Sequence, residues 1–154
     1  MKARTVARIV LLWLVAASVC FASNAMMGTW KLNEAKSKAP AGSPKNTMVM
    51  YEAAGDNIKA TVDGVDGDGK PTHSEWVGKF DGKDYPVTGD STSDMRSYKK
   101  INDHTMELTA KKDGKVTMSG KIVVSPDGKS RTVTVNATDA KGNKIMMVGV
   151  YDKQ

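Results

Sequence analysis

The chain has 154 residues, with 23 basic against 17 acidic side chains and a formal charge of +6. Three of the basic residues, Lys2, Arg4 and Arg8, belong to a leader-like segment, and without them the excess falls to about +3. That is an ordinary solvated surface and excludes a nucleic-acid-binding domain, which needs Lys and Arg gathered on one face. The single cysteine, Cys20, excludes a disulfide-stapled fold, and the roughly 129 residues beyond the leader suffice for one domain with one core.

The leader couples Lys2, Arg4 and Arg8 to an apolar run from Ile9 to Phe21, followed by small residues. This is the pattern of a secretory signal peptide, expected over residues 1–25 with cleavage after Ala22 or Ala25. The run is shorter than the roughly 20 residues a spanning helix requires, so no permanent membrane span is expected. Lipidation at Cys20 is the alternative, disfavoured by the bulky Val19 before it and by Ala17 where a Leu is usual. The expected location is periplasmic or secreted.

Beyond the leader, the first strand-like segment is Gly28 to Asn33. Glu34 to Asn46 follows, with two prolines and no large apolar residue, and reads as a crossing loop with one helical turn at most. From Thr47 onward, Gly- and Asp-rich clusters recur at the spacing of an all-β chain: Ala54 to Asn57, Asp66 to Gly69, Asp81-Gly82, Asp113-Gly114, Asp127-Gly128 and Lys141 to Asn143. Asp-Gly pairs reach the positive φ that tight hairpins demand. Between them lie runs of period two, clearest where Ile58, Ala60 and Val62 alternate with Lys59, Thr61 and Asp63, and where Val133, Val135 and Ala137 alternate with Thr132, Thr134 and Asn136. Further strands fit Thr47–Ala53, Thr72–Phe80, Asp84–Thr88, Met95–Ile101, Thr105–Lys111, Val116–Val124 and Lys144–Tyr151. The loop Val87 to Asp94 has nothing apolar to bury. With Glu34 to Asn46, it is expected to be the most mobile part of the domain.

The fold class expected for residues 26–154 is therefore all-β: an antiparallel up-and-down meander of about 8 to 10 strands. Closing it into a barrel removes the unpaired edges of an open sheet. A barrel of this size is nearly filled by its own side chains or holds one small ligand.

At Gly28-Thr29-Trp30 the chain resembles the Gly-x-Trp motif on the first strand of the lipocalins and the wider calycin group. The resemblance implies that Gly28 and Trp30 are structural, with Trp30 plugging one end of the barrel beneath a basic side chain, here Lys144 or Lys153. The chain departs from lipocalins in lacking their second, Thr-Asp-Tyr-like motif, the C-terminal helix and any disulfide. It also looks like small exported bacterial proteins of unassigned function that share Gly-Thr-Trp-Lys-Leu-Asn, Lys36-Ser37-Lys38 and the stretch from Asp81 to Gly89. That likeness implies a lipocalin-like barrel and supplies no activity.

Candidate chemistry is sparse. His73 and His104 stand beside turns without a second histidine at ligand spacing, so no metal site is expected. Asp63, Asp66 and Asp68 begin like a calcium loop, but Val77 occupies the position where the closing Glu belongs. No Gly-x-Ser-x-Gly is present, and Asp81 and Asp84 lie on turns where water screens them, so neither a nucleophile nor a general acid is assigned. Neither catalysis nor a cofactor is expected. Methionines recur at 26, 27, 48, 50, 95, 106, 118, 146 and 147, which suits either core filling or a pliable apolar cavity, with Met48 and Met50 a minor copper(I) alternative. Alternation sets Trp76 with Ser74 and Gly78, against Glu75, Val77 and Lys79, without deciding which face is buried.

The functional expectation is a non-catalytic, monomeric binding protein that holds a small apolar or amphipathic ligand in its lumen. Tyr51, Trp76, Tyr98, Met106 and Met118 are the expected contacts. The alternative is a structural or interaction module of the cell envelope that works through its outer surface and the two long loops.

Overall fold

The computed structural model describes residues 24–138 and 141–154. Residues 1–23 of the proposed leader, with Cys20 and the cleavage point at Ala22, lie outside the described residues. Ten strands follow in order: β1 Gly28–Leu32, β2 Lys45–Ala54, β3 Asn57–Val65, β4 Pro71–Gly78, β5 Tyr85–Thr88, β6 Met95–Lys100, β7 Thr105–Lys112, β8 Lys115–Val124, β9 Ser130–Thr138 and β10 Lys144–Lys153. Each pairs antiparallel with the next, and β1 pairs with β10 through Trp30 with Lys153 and Leu32 with Tyr151, which closes the barrel. The all-β up-and-down barrel expected from the turn spacing is the observed fold. Among the described residues, no helix is long and apolar enough to cross a membrane.

The turns form for the reasons their composition suggests. Asp113 and Gly114 join β7 to β8 with φ of 50° and 77°, the double positive φ that a two-residue hairpin needs and that Asp-Gly tolerates. Asp66 caps its own turn, its Oδ1 accepting from the backbone N–H groups of Asp68 and Lys70 at 2.9 Å each. The calcium-like run is thus a self-satisfied polar turn.

Both long loops make hydrogen bonds that tie part of their length to the barrel or to their own neighbours in the chain. In the β1–β2 connection a single 3-10 turn, Glu34–Lys36, is capped by Asn33. Ser37 Oγ donates to the Asn33 carbonyl at 2.7 Å and accepts from the Val150 N–H at 2.9 Å, and Lys38 bridges to Val148 on β10. The loop after β5 does have something to bury. Ser93 is 1% exposed, and the Asp90 carboxylate gathers four donors: Arg96 Nη2 at 2.6 Å, Ser93 Oγ at 2.5 Å, Thr92 N at 2.8 Å and Thr92 Oγ1 at 2.7 Å. Polar composition concealed a polar core.

Strand direction gives the barrel two different ends. At one, here the base, residues Asn24–Met27 turn across the opening, and the Trp30 indole donates to the Met26 carbonyl at 2.9 Å with both residues at 0% exposure. At the other, the rim, stand the loops after β1, β3, β5, β7 and β9.

Candidate functional site

Pairing register decides which side chains enter the lumen, because residues directly opposite each other share a face. Tyr51, Ala60, Trp76 and Val87 form one inward row across β2 to β5. Met118, Ala137 and Ile145 form another across β8 to β10, with Gly120, Val135 and Met147 beside it. This settles the face of Trp76: it points inward with Ser74 and Gly78.

All five residues singled out as ligand contacts therefore face the interior, but not at one level. Tyr51, Trp76 and Tyr98 join Phe80 and Tyr85 in one aromatic cluster toward the base, with Trp76 and Tyr98 rings 4.8 Å apart and Tyr51 and Tyr98 5.9 Å apart, both edge-on. Each such pair contributes about 0.5–1.5 kcal/mol beyond its buried area. The Trp76 indole donates to the Arg96 carbonyl at 2.9 Å. Met106 is fully buried among the residues packed at the base, whereas Met118 stands half-buried toward the rim. Leu32, Thr47, Ala137, Ile145 and Met147 share that half-buried state, so water reaches the rim half of the lumen while the base is sealed.

The base holds what the composition did not announce, an arginine. Arg131, second residue of β9, enters the lumen opposite Tyr151 and is 2% exposed. Its guanidinium carbon lies 4.8 Å from the Trp30 ring centre, 4.9 Å from that of Tyr151 and 5.3 Å from that of Tyr51. Lys153 Nζ also lies over Trp30, at 5.1 Å, so of the two lysines expected to cover that ring Lys153 does so, and Lys144 stands at the rim. The Tyr151 ring can lean across its own strand because residue 149 is glycine: a Cβ there would fall 2.8 Å from it.

A second arginine, Arg96 on β6, is also buried and is paired with Asp90. Arg131 has no such partner among the described residues, and its Nε and Nη1 are buried without a hydrogen bond, as is Nε of Arg96. The two cations are linked by phenols, for Tyr98 interacts with Arg96 and with Tyr51, and Tyr51 with Arg131. Burial pushes the Tyr51 hydroxyl far above its ordinary pKa of 10, with Tyr98 adding to the rise and Arg131 opposing it. Tyr151 is raised by the same burial. Both stay protonated near neutral pH, so they act as hydrogen-bond donors and neither neutralises Arg131.

The remaining candidates sit on the outer wall. His73 Nδ1 is 2.6 Å from Asp63 Oδ1, and Glu75 is 2.6 Å from Lys59, all outward, with His73 and Asp63 exposed and Lys59 and Glu75 half-buried. His104 is half-buried with Nδ1 unpartnered, more enclosed than a strand-end position suggests. Among the described residues, no three His, Cys, Asp or Glu side chains converge on a metal position. Met48 and Met50 alternate with inward Val49 and Tyr51, and so face out. Two open troughs of about 580 and 420 Å³ run over the strands β7 to β10; Ser119 and Asn136 line both, Leu108 and Lys121 the first, and Met118 and Ile145 of the upper lumen wall the second.

Compared with known proteins, the chain matches no protein-family model and no curated protein sequence.

Proposed function

We infer that this barrel is an exported, lipocalin-like carrier that holds one small apolar or amphipathic molecule in its lumen, without catalysis. The observation that carries the reading is the division of the interior into a sealed aromatic base and a half-buried apolar upper wall of Leu32, Met118, Ile145 and Met147. A barrel of ten strands encloses more width than the eight-stranded barrels whose interiors side chains can just fill.

The neutral dye Nile red tests the reading. It should bind saturably at one equivalent, with a change in tryptophan fluorescence through Trp76, and Ala137→Trp in the upper wall should abolish binding while leaving the circular dichroism unchanged. A folded protein that binds no dye saturably refutes the lumen reading. Export is tested separately, by N-terminal sequencing of protein from the periplasmic fraction, where the expected first residue is Ser23 or Met26.

A further inference from the structure

The base of the barrel is closed by Asn24–Met27, the residues just before β1. Asn24 makes the turn: its side-chain Oδ1 accepts from the Met26 N–H at 3.2 Å and its carbonyl from the Met27 N–H at 2.9 Å. This is the local bonding an Asn side chain favours. It brings Met26 into the barrel end at 0% exposure, where the Met26 carbonyl takes the Trp30 indole N–H at 2.9 Å. Lys153, from the end of β10, clasps the turn from the other side. Its Nζ lies 5.1 Å from the Trp30 ring centre and 3.5 Å from the Ala25 carbonyl oxygen. Its stem crosses Gly28, where a Cβ would fall 3.1 Å from Lys153 Cε.

The expected processing point falls in or beside this closure. A signal-peptide cut asks for small residues one and three positions before the bond, and two bonds comply: Ala22–Ser23, with Cys20 and Ala22, and Ala25–Met26, with Ser23 and Ala25. Sequence alone leaves them equal. We propose that Asn24 and Ala25 stay in the mature protein as part of its base closure, so that the leader is released at Ala22–Ser23. A cut after Ala25 would discard the oxygens that hold the Met26 and Met27 N–H groups and the acceptor of Lys153. It would also turn the Met26 amide into an α-ammonium, charged near neutral pH, within about 6 Å of the Lys153 ammonium. The new charge would stand beside a Trp30 ring already flanked by two cations, Arg131 and Lys153, and like charges so placed oppose one another. In a folded chain the Ala25–Met26 bond is the middle of a hydrogen-bonded turn that ends in a fully buried residue, whereas proteases take backbone that is exposed and free to extend. This inference rests on the export part of the proposed function and narrows it to one bond.

Intact mass and N-terminal sequencing of protein from the periplasmic fraction identify the bond. The expected first residue is Ser23 in wild type and in Ala25→Leu alike, because a bulky residue at position 25 blocks only the second bond. A first residue of Met26 in wild type, or accumulation of uncut precursor in Ala25→Leu, overturns the assignment and leaves export intact. Full-length protein retained in the cytoplasm overturns export and the assignment together. The closing role is read separately in urea. A chain made from Met26 onward, its own Met serving as initiator, should unfold at a midpoint roughly 1 M below that of the protein that keeps residues 23–25, the worth of two hydrogen bonds to backbone N–H groups. Failure of the shorter chain to fold is the same result in its extreme form. Equal midpoints overturn the closing role of Asn24 and Ala25.

Discussion

Replacing Asp90 by alanine would strip Arg96 of its only ion-pair partner among the described residues, in a place where little water can replace it. The Arg96 side chain is 8% exposed and that of Asp90 15%, and their contact is 2.6 Å. Removing one partner of a buried pair leaves a buried charge and costs about 3–5 kcal/mol. The Ser93 hydroxyl and the Thr92 N–H lose their acceptor at the same time. Taking about 3 kcal/mol, with a slope of about 1–3 kcal/mol per molar urea, the unfolding midpoint should fall by about 1–3 M. Tryptophan fluorescence in urea reads this directly. The control is Asp84→Ala, which breaks an equally short contact with Lys111 whose side chains are 31% and 33% exposed; it should cost less than about 1 kcal/mol. The double variant Asp90→Ala/Arg96→Met should recover most of the loss, because it removes the stranded charge as well. If Asp90→Ala lowers the midpoint no more than Asp84→Ala, the loop is not held as described. The same carboxylate sets an acid limit. Burial would raise its pKa, but the hydrogen bonds from Ser93 and Thr92 and the charge of Arg96 outweigh burial and hold it below the ordinary carboxylate value. Its contribution is therefore complete above about pH 4 and fades as pH falls through the lower folded-state value, a loss that Asp90→Ala should not show.

Two further predictions concern other parts of the wall. His73 is held above its ordinary pKa chiefly by its hydrogen bond to Asp63, so any stabilisation it gives is present below about pH 6.5 and disappears as pH rises through the raised value. Proton NMR titration should place His73 above that ordinary value and Asp63→Asn should lower it; a titration unmoved by Asp63→Asn would contradict the pairing. Gly64 lies beside the β2 bulge, where a Cβ would fall 2.2 Å from the Lys45 carbonyl oxygen, a backbone atom that cannot rotate away. Gly64→Ala should cost about 1–3 kcal/mol in the same urea assay, whereas Gly114→Ala, which meets no atom, is disfavoured only by its φ of 77°.

The strands were legible because two local signals agreed: period-two alternation from Ile58 to Asp63 and from Thr132 to Ala137, and Asp-Gly punctuation whose backbone preference needs no distant partner. Trp30 as an end plug was legible through its motif. The loop after β5 was misjudged because Thr92, Ser93 and Asp90 look like solvent-facing residues until Arg96 arrives beneath them. The burial of Arg131 was missed for a related reason. Arg131 has ring partners on β1, β2 and β10, and no local window contains them. A signal did exist: beyond the leader the chain uses 18 lysines but only two arginines, Arg96 and Arg131, each in step with inward neighbours, Tyr98 in one case and Val133 and Val135 in the other. A chain that meets water with lysine and reserves arginine for inward positions marks its interior cations by residue type, which fits the weaker hydration of the guanidinium.

The seam between β1 and β10 carries a consequence for how the barrel is made. Trp30 faces Lys153, the Asn33 amide donates to Asp152 at 2.8 Å, and the Gln154 N–H reaches the Thr29 carbonyl at 3.0 Å, so the tenth strand completes the pairing of the first. Until β10 emerges, β1 and β9 both present bare edges, and Trp30 lacks both Lys153 and the Tyr151 that flanks Arg131. Closure is therefore a late event that joins segments more than a hundred residues apart, the kind of contact that makes folding slow and a half-made sheet prone to capture by another chain.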